Sequence, residues 1–204
     1  MSDYKIDRHK FFDKDERRSI LTYAETKAAE DKQHGRTTWI VRWMLVDLAM
    51  YTGLRVSEIA ALKLKDIDLK AADPYIRVRE GKGAKDRDVY LRDQLTEHLR
   101  KFIDSKGERN ESTASDAPLF SGRSGHYTPT ALTISFKKAV RQTPGLRDDL
   151  SIHSARHTYA TFLYSDTKNL RFVQQQLGHS DISMTQLYVG ILPEENGRLA
   201  NMIS

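Results

Sequence analysis

Cysteine is absent from the 204 residues. That excludes a disulfide framework, a zinc–thiolate site and a cysteine nucleophile. Long hydrophobic runs are also missing. The most apolar stretch, Trp39 to Tyr51, is interrupted by Arg42 and Asp47 and is too short to span a bilayer. The N-terminal segment MSDYKIDRHKFFDKDERR is polar and has no signal-peptide core. No membrane partner is expected, and a cytoplasmic setting follows as the default. Neither sign of charge dominates: 33 Lys and Arg face 28 Asp and Glu, a formal charge of +5. That excess favours a polyanionic partner without establishing one. There are no internal repeats. A phosphate-binding P-loop is excluded too, because Gly81-Lys82-Gly83 lacks the spacing GxxxxGK[ST].

What is present reads as one folded unit that is mainly α with a small antiparallel β-sheet. Apolar residues in Thr38–Tyr51 recur at Ile40, Met44, Leu48 and Tyr51, which predicts a core helix. Further helices are expected over Asp13–Glu30, Arg55–Leu62, Gln94–Ile103, Thr130–Arg141 and His153–Leu163. Tyr75–Arg79 and Arg87–Leu91 read as strands of a hairpin whose tip carries Lys82 and Lys85 between glycines. Asp66–Leu69 is a weaker strand. Residues 31–36 and 104–128 read as loops, the second anchored by Pro118-Leu119-Phe120. No βαβ series appears, which argues against doubly wound folds.

The chemistry concentrates in SIHSARHTYATFLYSDTKNLRFVQQQLGHSDISMTQLYVG, residues 151–190. His153 and Arg156 share one helical face and can address one small anion. His179 follows Gly178, a helix terminator, and Asp181 can cap the next turn, with Met184 and Leu187 on its buried side. Tyr188 comes next. Upstream, Arg55 opens a short helix beside Glu58, which can hold its guanidinium. Each feature has a plain reading as well: a surface Arg–Glu pair, a solvated turn lysine, a packing tyrosine, and a His157 that only braces its helix. Together they fit one reaction. Two arginines neutralise a phosphodiester, a tyrosine attacks phosphorus, and a lysine or histidine protonates the leaving oxygen. A tyrosine with an ordinary pKa near 10 needs such a cationic field.

The strings TGLRVSEIAALKLKDID, GKGAKDRDVYL, HSARHTYAT and LGHSDISMTQLYVG resemble, in order and spacing, the catalytic domain of the tyrosine recombinases, the phage-integrase family. The match covers most of the chain. The resemblance implies the tyrosine recombinase catalytic-domain fold, DNA cleavage and rejoining through a 3′-phosphotyrosyl link, and no cofactor or metal. It implies that Arg55 and Arg156 hold the scissile phosphate and that Tyr188 is the nucleophile. Lys82 would be the leaving-group acid, with His153 and His179 assisting and Glu58 buttressing. Lys85 and Arg87 become candidates for contact with the DNA backbone. Ala155 stands where the family commonly has leucine. The expected partners are double-stranded DNA and other subunits in a DNA-bound synaptic tetramer, with a monomer or weak oligomer in the absence of DNA. Nucleoid association follows from the DNA partner. A single catalytic domain over 1–204 is expected, without the family's usual N-terminal DNA-binding domain. Residues 189–204 would form a tail exchanged between subunits.

Two rival readings differ in class. A metal hydrolase could use His153, His157 and His179, but Ser154 stands where an HExxH glutamate would be. A domain that binds DNA without turnover would leave the complete residue set unexplained.

Overall fold

Asp13 starts the first helix. Its carboxylate accepts the Glu16 N–H at 2.7 Å, and the Glu16 carboxylate accepts the Asp13 N–H at 2.9 Å. This reciprocal cap satisfies two donors that a helix start leaves open. The computed structural model describes residues 8–79, 86–122 and 125–189. In it α1 (Lys14–Gln33) buries Ile20, Ala24 and Ala28. The helix runs past its expected end and takes in the first residues of the expected 31–36 loop. Asp31 accounts for the extension: its carboxylate accepts the Trp39 N–H at 2.8 Å and Arg36 Nε at 2.9 Å. The turn into α2 (Thr38–Thr52) is thereby fixed.

The second helix is more deeply placed than its stripe predicts. Every residue from Met44 to Met50 is buried, so the helix is covered on all sides rather than along one face. Asp47, which reads as an interruption, is matched from outside the helix. His98 on α4 (Asp93–Glu108) meets its carboxylate through Nδ1 at 2.5 Å. Trp43 lies against the same imidazole, ring centroids 4.9 Å apart.

Between these helices come α3 (Val56–Ala61) and a sheet of β1 (Ile67–Asp68), β2 (Tyr75–Val78) and β3 (Arg87–Tyr90), antiparallel in that order. Ile76 pairs with Val89 and Val78 with Arg87, so these four side chains share one face. Ile76, Val78 and Val89 turn into the core. Arg77 and Asp88 occupy the other face and bond to each other at 2.9 and 3.0 Å.

The expected 104–128 loop is partly structured. Helix α4 continues to Glu108, and β4 (Ser121–Gly122) pairs with β5 (Gly125–His126). The Leu119 and Phe120 anchor is buried as expected. A fully buried Lys106 holds the rest. Its ammonium donates to Glu111 at 2.6 Å, to Ser121 Oγ at 3.0 Å and to the Leu119 and Pro118 carbonyls at 3.1 and 3.2 Å. A buried ammonium is tolerated because four acceptors replace its water. Four helices complete the fold: α5 (Pro129–Gln142), α6 (Ile152–Thr167), α7 (Leu170–Leu177) and α8 (Ser183–Gln186). The expected α-rich class with a small antiparallel sheet is what the chain adopts. No helix among the described residues is long and apolar enough to cross a membrane.

The Asp47–His98 pair makes stability depend on pH. The Asp47 bond outweighs desolvation and raises the His98 pKa above its ordinary value. Burial pushes the Asp47 carboxyl up despite that bond, so folding favours protonation at both groups. The His98 contribution is complete below about pH 6.5 and is lost as pH rises through the raised value. Urea unfolding at pH 6 and pH 9 should show a larger loss for the native chain than for the Asp47→Asn/His98→Gln double variant, which lacks both titrating groups. Equal losses would contradict the assignment.

Candidate active site

Arg156 draws the site together. It lies in the second turn of α6, where Ser151 caps the start and Ala155 and Ser154 are buried. The residue is 8% exposed. One guanidinium nitrogen, Nη1, donates to the Gly53 carbonyl, and Nη2 donates to the Leu177 carbonyl at 2.8 Å. Gly53 ends α2, and Leu177 ends α7. Both helices thus terminate on one cation, which fits the partial negative charge of helix C-termini. Burial and then the neighbouring Arg55 lower the Arg156 pKa to about 10, so it remains a cation at neutral pH.

Gly53 and Gly178 both have positive φ, 62° and 66°. Both are also crowded. A Cβ on Gly53 would lie 2.5 Å from the Tyr159 ring. On Gly178 it would lie 2.7 Å from the Arg87 guanidinium carbon. Only glycine satisfies the backbone angle and the close approach together.

Arg55 stands immediately before α3. The Glu58 carboxylate accepts the Arg55 N–H at 2.7 Å and Arg55 Nη1 at 2.9 Å. Arg55 keeps 42% of its side chain exposed, while Glu58 keeps 12%. Arg87 donates to the same carboxylate through Nη2 at 2.9 Å. The Arg87 side chain is 10% exposed and directed inward, toward Glu58. Strand parity could have indicated this, since Arg87 shares the face of Ile76, Val78 and Val89.

Tyr188 lies just after α8 and is 3% exposed, packed among Phe11, Ala160, Val173 and Leu177. Its hydroxyl is 3.1 Å from His157 Nδ1. His157, a mere brace in the plain reading, thus touches the phenol. The signal was available: His157 follows Arg156 on the same helix. His179 stacks on the Tyr188 ring, centroids 6.5 Å apart and planes 14° apart. Its Nδ1 lies 3.1 Å from Thr185 Oγ1. Burial and then Arg156 push both imidazoles down to about 4, so both are neutral at pH 7. His153 is exposed at the start of α6.

Asp181, expected to cap the helix before Tyr188, stands one residue ahead of the cap position, which is Ile182; its carboxylate accepts the Ser183 N–H at 2.9 Å. Met184, expected inside, is 54% exposed; Thr185 and Tyr188 turn inward instead. Lys82 and Lys85 lie outside the described residues, as does most of the 189–204 tail. Arg55, Glu58, Arg156, His179 and Tyr188 are brought together, with His157 and Arg87 added. Among the described residues, no group of three or more His, Asp or Glu could hold a metal ion. The arrangement is a partly open set of cations beside a phenol and two neutral imidazoles, suited to an anionic electrophile.

Residues 10–195 match the model of the phage integrase family. The chain is 33% identical over 150 residues to a tyrosine recombinase of Thermosipho africanus, covering 74% of this chain and 50% of the relative. It is 37% identical over 146 residues to the tyrosine recombinase XerC of Azotobacter vinelandii, covering 71% and 46%. The chain thus spans about half the length of these curated relatives. The crystal structure of XerA recombinase superposes with a TM-score of 0.76 at 25% identity, covering 94% of this chain and 64% of that one. XerH bound to its difH substrate after cleavage gives 0.74 at 22% identity, covering 93% and 52%, a likeness of fold.

The crowding at Gly178 is testable. Gly178→Ala adds left-handed strain of about 1–2 kcal/mol and forces the Arg87 guanidinium aside. Chemical denaturation should show a loss of at least about 1 kcal/mol. No loss would mean that residue 178 does not hold this left-handed, crowded conformation in solution.

Proposed function

Because this chain belongs to the phage integrase family, we propose that it is the catalytic domain of a tyrosine-type, site-specific DNA recombinase. The observation that carries this reading is the placement of one phenol, Tyr188, against His157 and His179 beside Arg156 and the Arg55–Glu58 pair. The substrate is double-stranded DNA, and the reaction needs neither metal nor cofactor.

Arg55 and Arg156 take the nonbridging oxygens of the scissile phosphate. Arg55 offers an exposed guanidinium edge; Arg156 offers the donors left over from its two carbonyl bonds. Their charge is most effective on the pentacoordinate transition state, where the phosphoryl oxygens gain negative charge. Tyr188 Oη attacks phosphorus. A P–O bond to the phenol forms as the P–O bond to the 5′ oxygen breaks, leaving a 3′-phosphotyrosyl link. In the tautomer that carries its proton on Nε2, neutral His157 accepts the phenol proton at Nδ1. Lys82 protonates the departing 5′ oxygen. His153 and His179 hydrogen-bond around the phosphate. Rejoining reverses these steps with a new 5′ hydroxyl. The domain acts with further subunits in a DNA-bound tetramer that exchanges the segment 189–204 and is a monomer or weak oligomer without DNA. It works on the nucleoid.

A duplex nicked close to the cleavage position loses its short 5′ product and traps the covalent intermediate. The native chain should give a denaturation-resistant adduct in EDTA, and Tyr188→Phe should give none. A domain that only binds DNA would shift the duplex in a gel and leave no covalent product. Arg55→Ala should slow adduct formation about 100-fold or more. Nonspecific duplex binding should change by less than about threefold, because other phosphate contacts persist. Parallel losses in both measurements would contradict the clamp.

A further inference from the structure

Arg87 begins β3, the strand that leads out of the segment holding Lys82 and Lys85. Its guanidinium serves three places at once. Nη2 donates to Glu58 Oε2 at 2.9 Å, and Nε donates to the Gln176 carbonyl at 3.3 Å. The same group lies so close over Gly178 that a methyl there would be 2.7 Å from Cζ. Gln176 strengthens the link from its side chain, where Oε1 accepts the Tyr90 N–H of β3 at 3.1 Å. Beyond Glu58 lies Arg55, held through its N–H and Nη1. Beyond Gly178 lies His179. Hydrogen bonds therefore join β3 to the exposed arginine through Glu58, and the bond to the Gln176 carbonyl and the close approach to Gly178 set the same guanidinium beside the turn that carries His179, the histidine stacked on Tyr188.

Building on the recombinase reading, we propose that Arg87 is a positioning residue that couples the seating of β3 to the aim of Arg55 and the placement of His179. The planar fork suits this task. Its donors have fixed relative directions, so the carboxylate and the carbonyl cannot both be met unless β3, α3 and the end of α7 are in register. A lysine ammonium has the charge but not the span. Burial pushes the Glu58 carboxyl up, yet the bonds from Arg87 and from the Arg55 backbone outweigh it and hold the group below the usual carboxylate range. Glu58 thus stays an anion able to hold Arg55. Arg87 itself, 10% exposed, is not placed to touch DNA.

The test uses the full 204-residue chain and the nicked duplex. Adduct formation at saturating protein, duplex affinity and melting temperature are measured for the native chain, Arg87→Gln, Arg87→Lys, Glu58→Gln and the Arg87→Gln/Glu58→Gln double variant. Each single Gln variant should lower the saturated rate about 10- to 100-fold, with affinity within about twofold. Arg87→Lys should recover only part of the loss. The double variant should be no more than about twofold slower than the worse single one, because both break the same path. The proposal is overturned by losses that multiply, by weaker duplex binding with a shallower salt slope, or by rates within about threefold of native. If Arg87→Gln does not fold, Arg87→Lys is judged alone by the same rate and affinity limits. A native chain that forms no adduct overturns the recombinase reading and the positioning role with it. A native adduct with unaffected variants overturns the positioning role alone.

Discussion

A buried guanidinium held between two helix ends is the constraint on which the site depends. Arg156 donates to the Gly53 and Leu177 carbonyls, and each belongs to a helix that stops on a left-handed glycine or just before one. Buried carbonyls without donors are costly, and so is a buried charge without acceptors. Each requirement meets the other. The consequence is geometric: the residues that follow the two helix ends, Arg55 and His179, are carried to the same cation. Glu58 and Arg87 then tie the first of these to the sheet.

The frame around the site follows the same rule of matched charges. Asp47 sits within the most buried helix only because His98 reaches it. Lys106 is fully enclosed only because a carboxylate, a hydroxyl and two carbonyls surround it. These groups fix register between elements that apolar packing alone would leave free to slide. The imidazoles show the opposite treatment. Crowded by burial and by Arg156, His157 and His179 are kept neutral beside the phenol. A neutral ring can accept a proton, which an imidazolium cannot.

Much of this was legible in the residues. The 3.6-residue recurrence in Thr38–Tyr51 marked the central helix, and Gly53 and Gly178 marked its end and that of α7. Arg55, Glu58, Arg156, His179 and Tyr188 announced themselves as residue types that a plain helix does not require. Much of the rest depends on partners distant in sequence. Asp47 reads as an interruption until His98 is beside it, and 104–128 reads as a loop until Lys106 meets Glu111, Ser121 and the carbonyls of Pro118 and Leu119. Arg87 reads as a candidate for contact with the DNA backbone, and its bond to Glu58, 29 positions away, is not visible in the residues. Met184 has an apolar side chain, but α8 is too short for a periodic pattern to say which side is buried. His157 reads as a brace because its contact with Tyr188 spans 31 positions.

The chemical assignment rests on Tyr188 being the atom donor to phosphorus. The direct measurement is mass spectrometry of the trapped DNA adduct after nuclease and protease digestion. A nucleotide remnant joined through its 3′ phosphate to the peptide containing Tyr188 is the predicted result. A remnant on any other residue, or one joined through a 5′ phosphate, would contradict it.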